Sequence, residues 1–292
     1  MKYAFSLTAS SGYMFSVNST INACKYFGTE ADFYILYHPS ITEEVRNSYK
    51  DMFPFKITFI PMADFGNNFF ASKYIYVNEI KDKYDAVCIL DGDQFLCSNV
   101  NEYFKSASQG KFATGTWRSP DSVKHVIPFG RPEALRSFFN CFMSDLSVFF
   151  SPKYYPNFAT DWYNQTMSGG GEYNHPFVVL NRLICRDVLP DNLIELNCNL
   201  WLFDSCYWQE KLVRWGDKLI NTKNEALNGI HNRWWQVGRA QSELINSLKY
   251  DNKEASLTGE SNMNLIKEYM EYFNEMTPKT RCDEYLKGKI SI

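Results

Sequence analysis

Asp91 and Asp93, separated only by Gly92, follow directly on the apolar run Ala86-Val87-Cys88-Ile89-Leu90. Two carboxylates so spaced are hard oxygen donors for Mn²⁺ or Mg²⁺, with room for a diphosphate to complete the octahedron. The apolar run fits a buried strand of a parallel sheet, covered on both faces. Its end is the edge at which open α/β sheets bind ligands. Gly92 carries no side chain to obstruct close approach. The pattern predicts a metal-dependent site for a nucleotide sugar.

The elements that must hold these aspartates precede them. Residues 3–8, 33–37 and 55–60 read as strands, the last closed by Pro61. Residues 13–27 carry Met14, Val17, Ile21 and Cys24 at helical spacing, and Gly28 supplies the stop. Ser40-Ile41-Thr42-Glu43 reads as a capping box that opens a helix, and residues 71–80 as a third helix. This rhythm predicts an α/β fold, a mostly parallel doubly wound sheet of Rossmann-like kind, whose fourth strand ends in Asp-Gly-Asp.

Beyond residue 101 the rhythm loosens. Residues 111–116, 146–150 and 193–196 read as strands, and 133–140 and 180–186 as helices. Ser168-Gly169-Gly170-Gly171 reads as a mobile loop. Amphipathic helices are expected over 239–250 and 263–276, separated by the polar stretch 251–261. Leu265, Ile266, Tyr269, Met270 and Phe273 share one side of the second. The division predicted is a nucleotide-sugar-binding and catalytic domain over 1–238 with a helical C-terminal extension over 239–292. That extension could pack on its own domain, mediate self-association or meet a partner.

Composition narrows the function classes. The 292 residues are 45% apolar, enough for a substantial core. Aromatics reach 17%, an excess that mildly favours carbohydrate handling. A formal charge of −3 without a cluster of cations argues against stable binding of a nucleic-acid backbone. The eight cysteines form no CxxC pair and no zinc spacing, so buried free thiols are expected. The N-terminus does not read as a signal peptide, and no apolar run spans a membrane. A cytoplasmic protein is expected.

The ordered motifs over roughly residues 3–237 resemble the retaining GT-A glycosyltransferases of family 8, the glycogenin and galactosyltransferase type. Leu7-Thr8-Ala9-Ser10-Ser11-Gly12-Tyr13 looks like the family's first-strand exit, where the backbone holds the uracil and the tyrosine stacks on it. Lys73 looks like the family's donor-binding lysine, and Asp91-Gly92-Asp93 corresponds to its Asp-x-Asp. Phe142-Met143-Ser144-Asp145 sits where the family has Phe-Asn-Ser-Gly, and Cys198-Asn199-Leu200 where it has Tyr-Asn-Leu. Ile230-His231 resembles the motif whose histidine is the third protein ligand of the metal. Leu180-Asn181 resembles the end of Asp-Gln-x-x-Leu-Asn, but Pro176-Phe177 stands where Asp-Gln is expected. The family's glycine and lysine after the histidine are also missing.

The resemblance implies a UDP-hexose donor, transfer with retention and an acceptor that the sequence does not name. Asp91, Asp93 and His231 are the expected metal ligands, with His175 the competitor for the third place. Leu7, Thr8, Ala9, Tyr13, Lys73, Gly92 and Arg233 would bind the nucleotide sugar, with Arg239 the alternative to Arg233 at the diphosphate. Asp91 and Glu172 are the candidate catalytic groups, Glu172 because it follows the glycine loop. Trp234-Trp235 could be a sugar-facing wall or core. Three rivals differ by feature. A dehalogenase-type phosphatase needs its Asp-x-Asp to open the domain. A sugar-nucleotide nucleotidyltransferase needs a cationic glycine-rich first loop, and residues 8–13 contain no cation. A non-catalytic nucleotide-sugar or carbohydrate-binding protein would fit the altered acceptor motif.

Overall fold

Strand β1 (Tyr3–Ala9) sends alternate side chains into two different cores. Phe5, Leu7 and Ala9 enter one and Ala4 the other, the period-2 signature of a strand buried on both faces. The computed structural model describes residues 1–62, 71–117, 142–168, 176–197, 200–202, 211–231 and 253–282. In chain order the elements after β1 are α1 (Met14–Phe27), β2 (Asp32–Tyr37), α2 (Glu43–Asn47), β3 (Ile57–Pro61), α3 (Ser72–Ile75), α4 (Val77–Ile80) and β4 (Ala86–Leu90). There follow β5 (Gln94–Leu96), α5 (Asn101–Ser108), β6 (Phe112–Trp117), β7 (Phe142–Phe150), α6 (Phe158–Met167), α7 (Pro176–Asp187) and β8 (Leu193–Leu196). Last come β9 (Trp201–Leu202), β10 (Val213–Trp215), β11 (Lys218–Ile220), β12 (Gly229–His231) and α8 (Lys253–Glu275).

Among the described residues the main sheet runs β3-β2-β1-β4-β7-β6-β8. The four strands β3, β2, β1 and β4 are parallel, and β7 is antiparallel to both β4 and β6. Helices α1 and α5 cover one face, with Val17, Ile21 and Phe104 in the core there. Helices α3, α4, α6 and α7 cover the other through Tyr74, Val77, Trp162, Leu180 and Leu183. Helices on both faces of a mostly parallel sheet make this the α/β architecture expected.

A smaller sheet, β5-β12-β9, continues from the end of β4. Its outer face is covered by α8, so that Phe95 and Ile230 share a core with Ile266, Tyr269, Met270 and Phe273. Each such side chain contributes about 1.5–3 kcal/mol by leaving water. Helix α8 also meets α1 through a buried polar network. Asn18 Nδ2 donates to Asn274 Oδ1 at 2.8 Å, and Asn274 Nδ2 donates to the carbonyls of Phe15 and Met270 at 3.1 and 3.0 Å and to the Ser19 hydroxyl. Tyr49 and Thr280 both donate to Asn18 Oδ1, the tyrosine at 3.0 Å. The C-terminal helix is thus built into the core on which the smaller sheet rests.

Several expectations need correction. The helix after Ser40 is capped by Thr42, whose Oγ1 accepts from Val45 N at 3.3 Å. The Ser40 hydroxyl instead lies 2.9 Å from His38 Nδ1 and accepts from the Ser11 amide at 3.1 Å. The helix expected over 71–80 is two short turns meeting at Tyr76. The stretch 251–261, read as a polar separator, is helical from Lys253 onward and belongs to α8. Helices α5 and α6 and the strands of the smaller sheet were not expected. Gly28 is the stop anticipated: at φ +74° it ends α1 with its N–H on the Cys24 carbonyl. The helices expected at 133–140 and 239–250 lie outside the described residues.

Candidate functional site

β4 leaves the main sheet at Leu90 and turns at once into β5. The turn is closed by Gln94 N donating to the Asp91 carbonyl at 3.0 Å. Gly92 sits at its apex for a steric reason. A Cβ there would lie 2.5 Å from the Thr8 carbonyl oxygen and 3.1 Å from Tyr13 Cδ1. The space expected to admit a ligand is therefore filled by the exit of β1, and only glycine lets the two strand ends touch. This contact fixes Thr8 and the half-buried ring of Tyr13 beside the two aspartates. Leu7 and Ala9 are core residues, and the Ala9 carbonyl accepts from His38 N at 2.8 Å.

Lys73 reaches the site from the opposite face of the sheet. It is 1% exposed, and its ammonium forms an ion pair with Asp91. Its backbone is tied to β1, because the Ser6 hydroxyl donates to the Lys73 carbonyl at 2.8 Å. The adjacent Tyr74 ring stacks on Trp162 of α6 at 4.0 Å, and Trp162 Nε1 donates to the Pro176 carbonyl at 2.9 Å. Two helices thus hold the lysine in place. The buried ammonium and the partly exposed carboxylate of Asp91 make a charge-assisted contact, and an incoming anion could take the place of Asp91 on the lysine.

His231 arrives from far along the chain. β12 runs antiparallel to β5 with His231 directly opposite Gln94, and this register puts His231 Nε2 3.0 Å from Asp93 Oδ2. Both side chains are buried. Burial pushes the Asp93 carboxyl up, but the neighbouring His231, the hydrogen bond between them and Lys73 outweigh it, so its pKa lies below the ordinary carboxylate value. Asp91 and Asp93 are thus each matched to a basic side chain, Lys73 and His231.

The donor chemistry fits a divalent cation of the Mn²⁺ or Mg²⁺ type. Asp93 and His231 converge, and Asp91 is two residues from Asp93. Among the described residues, however, no three acidic, histidine or cysteine side chains already enclose a point where an ion could sit. Asp91 is turned onto Lys73 instead.

Of the sequence-predicted residues, Leu7, Thr8, Ala9, Tyr13, Lys73, Asp91, Gly92, Asp93 and His231 come together at this edge. Glu172, His175, Arg233, Trp234, Trp235 and Arg239 lie outside the described residues. Phe177 is 1% exposed and packs in the core that contains Leu96 and Trp201. It has become a core residue at the position where the resemblance calls for a reactive polar group. Asn181, the residue matching the motif's asparagine, is buried with its Nδ2 donating to the Phe177 carbonyl at 2.8 Å. The segment matching Phe-Asn-Ser-Gly forms the start of β7, where Ser144 pairs with Gly115 just beyond a register shift in β6. Sequence reasoning missed Gln94 and Gly229; a glutamine inside an apolar strand exit was the available signal.

No family model matches the chain, and no curated protein matches it in sequence. Solved structures do. An active-site mutant of LgtC superposes with a TM-score of 0.54 at 12% identity, over 87% of this chain and 98% of that one. The glycosyltransferase GlyE of Streptococcus pneumoniae gives 0.50 at 11% identity, over 95% of this chain and 64% of that one. The bifunctional glycosyltransferase WbbM gives 0.50 at 10% identity over 90% of this chain, which spans about half of WbbM, 52%. The chain shares their GT-A fold. No helix among the described residues is long and apolar enough to cross a membrane.

Proposed function

We propose that this chain is a metal-dependent glycosyltransferase that takes a hexose from a UDP-sugar, in the manner of the family 8 enzymes its motifs resemble. The observation that carries this reading is the 3.0 Å approach of His231 to Asp93, residues 138 positions apart brought together by the pairing of β12 with β5. A core histidine has no need of an acidic partner at the ligand-binding edge of an α/β sheet, whereas a metal site does.

Asp93 and His231 would hold the ion, joined by Asp91 once its carboxylate is released from Lys73. A bound Mn²⁺ would supply charge stabilisation of the departing diphosphate. Tyr13 offers its ring to the base from the exit of β1. Lys73, freed from Asp91, would meet a phosphate or the sugar. Retention and a cytoplasmic setting belong to the same reading. The solved galactosyltransferase LgtC was captured with donor and acceptor sugar analogues; a sugar acceptor is proposed for this chain by that analogy. Glu172 remains the acceptor-side candidate.

The burial of Phe177 favours one second reading, a protein that binds nucleotide sugars without transferring them. A thermal-shift screen of UDP and UDP-hexoses with and without Mn²⁺ tests the site, since a ligand of the native state raises the melting point. Release of UDP from the stabilising donor separates turnover from binding. A chain that no nucleotide stabilises in Mn²⁺ is not a UDP-sugar enzyme.

A further inference from the structure

Buried side chains that carry hydrogen-bonding atoms almost always have partners. Gln94 does not: the residue is 1% exposed, and among the described residues neither its Oε1 nor its Nε2 meets a partner. Methionine or leucine would fill the same space beside the Trp201 ring without that cost. The chain has even made room for the amide. A Cβ on Gly229 would lie 2.8 Å from Gln94 Nε2 and 2.5 Å from Trp201 Cε3, so a strand position has given up its side chain to lodge carboxamide and indole.

The location of Gln94 points to a ligand. It follows Asp93 directly and lies opposite His231 in the antiparallel register. Residues so opposed project to the same face, and from that face the His231 ring reaches Asp93 at 3.0 Å. The hydroxyls of Ser10, just past β1, and Ser147, opposite Leu90, are also buried without partners among the described residues at this end of the main sheet.

We propose that Gln94 is a specificity-determining residue of the donor site, its carboxamide reserved for hydroxyl groups of the transferred sugar. The proposal rests on the donor-site reading above. Both ends of the amide are unpartnered, so the ligand must donate and accept. A diphosphate only accepts and would leave Oε1 unmet; a cation would engage Oε1 alone; a pair of sugar hydroxyls satisfies both atoms.

Titration calorimetry in Mn²⁺ with UDP, UDP-glucose and UDP-galactose tests this on the wild type, Gln94→Met and Gln94→Leu. The expected result is UDP affinity within about twofold of wild type, with the better-bound UDP-hexose weakened by roughly tenfold or more. The ligand-free melting temperature should rise by about 2 °C or more, because an unmet polar group has been removed. Unchanged hexose affinity overturns the proposal. Equal losses for UDP and UDP-hexose also overturn it, because the amide would then act through His231 and the metal. A lower melting temperature in both variants would make the amide a structural element. A wild type that binds neither UDP nor the hexoses defeats the donor-site reading itself, and this proposal with it.

Discussion

Two buried polar clusters in this molecule follow opposite rules. Between α1 and α8, Asn18, Ser19, Asn274, Thr280 and Tyr49 interlock so that the amides and hydroxyls meet one another or a backbone carbonyl. At the end of β4, Lys73, Asp91, Asp93 and His231 are paired, while the amide of Gln94 and the hydroxyls of Ser10 and Ser147 are left without partners among the described residues. Burial is comparable, yet one cluster is closed and the other open. A closed network specifies how two elements dock; an open one gives up stability and regains it when a ligand arrives. The contrast marks the end of β4 as the candidate site without reference to any relative.

The sharpest way to break it is a pair of substitutions. Asp93→Asn should abolish Mn²⁺-dependent UDP binding while lowering the ligand-free urea midpoint only by what its pairing with His231 contributes. Asn274→Leu should do the reverse, costing about 1–3 kcal/mol through the stranded Asn18 amide while UDP affinity holds. Calorimetry and urea unfolding on both variants decide the matter; if Asn274→Leu weakens UDP as severely as Asp93→Asn, the clusters are one unit. Tyr13→Ala probes the open side more gently. Loss of ring stacking should weaken UDP by about 1–3 kcal/mol with the Mn²⁺ requirement intact, and unchanged affinity would return Tyr13 to the core.

Acid unfolding offers a smaller effect. The folded pKa of Asp93 is depressed, so its contribution is fully present above the unfolded value of about 3.9 and is lost as pH falls through the lower folded value. Asp93→Asn should therefore flatten the acid limb of stability against pH, and an unaltered limb would contradict the pairing with His231. Smallest is the response of the thiols. Burial pushes the Cys24 thiol up to about 12 and raises Cys88 and Cys97 as well, so alkylation mapped by mass spectrometry should spare all three in native protein. Labelling of Cys24 before Cys185 or Cys282 would show that α1 opens first.

Much of the main sheet was legible in the sequence because buried strands announce themselves. The run Ala86–Leu90 needs both faces covered, and the helical spacing from Met14 to Gly28 matches α1. The smaller sheet was not legible, for β9 has two residues and β12 three, too few to display a period. His231 could be found only from the order of motifs, since nothing in the sequence near it reveals that it pairs across from Gln94. Asn18 and Asn274 on helices look like ordinary polar positions until the two helices are packed. Gly92 was read as room for a ligand, and the structure assigns that room to the Thr8 carbonyl. Fold came from local pattern; the site came from long-range register, which local pattern does not encode.

The docking of α8 beneath β5 and β12 bears on the order in which the protein can be made. The parallel half of the main sheet, β1 to β4, uses segments close together in the chain and can begin to assemble while synthesis continues. The Asp93–His231 pair closes a span of 138 residues, and the core under it waits for Ile266, Tyr269 and Phe273 to be translated. On the ribosome, then, the nascent chain passes through an interval in which a Rossmann-like half stands with an incomplete binding edge and an uncovered apolar surface at Phe95. The core behind the Asp93–His231 pair is completed late, once α8 has been translated.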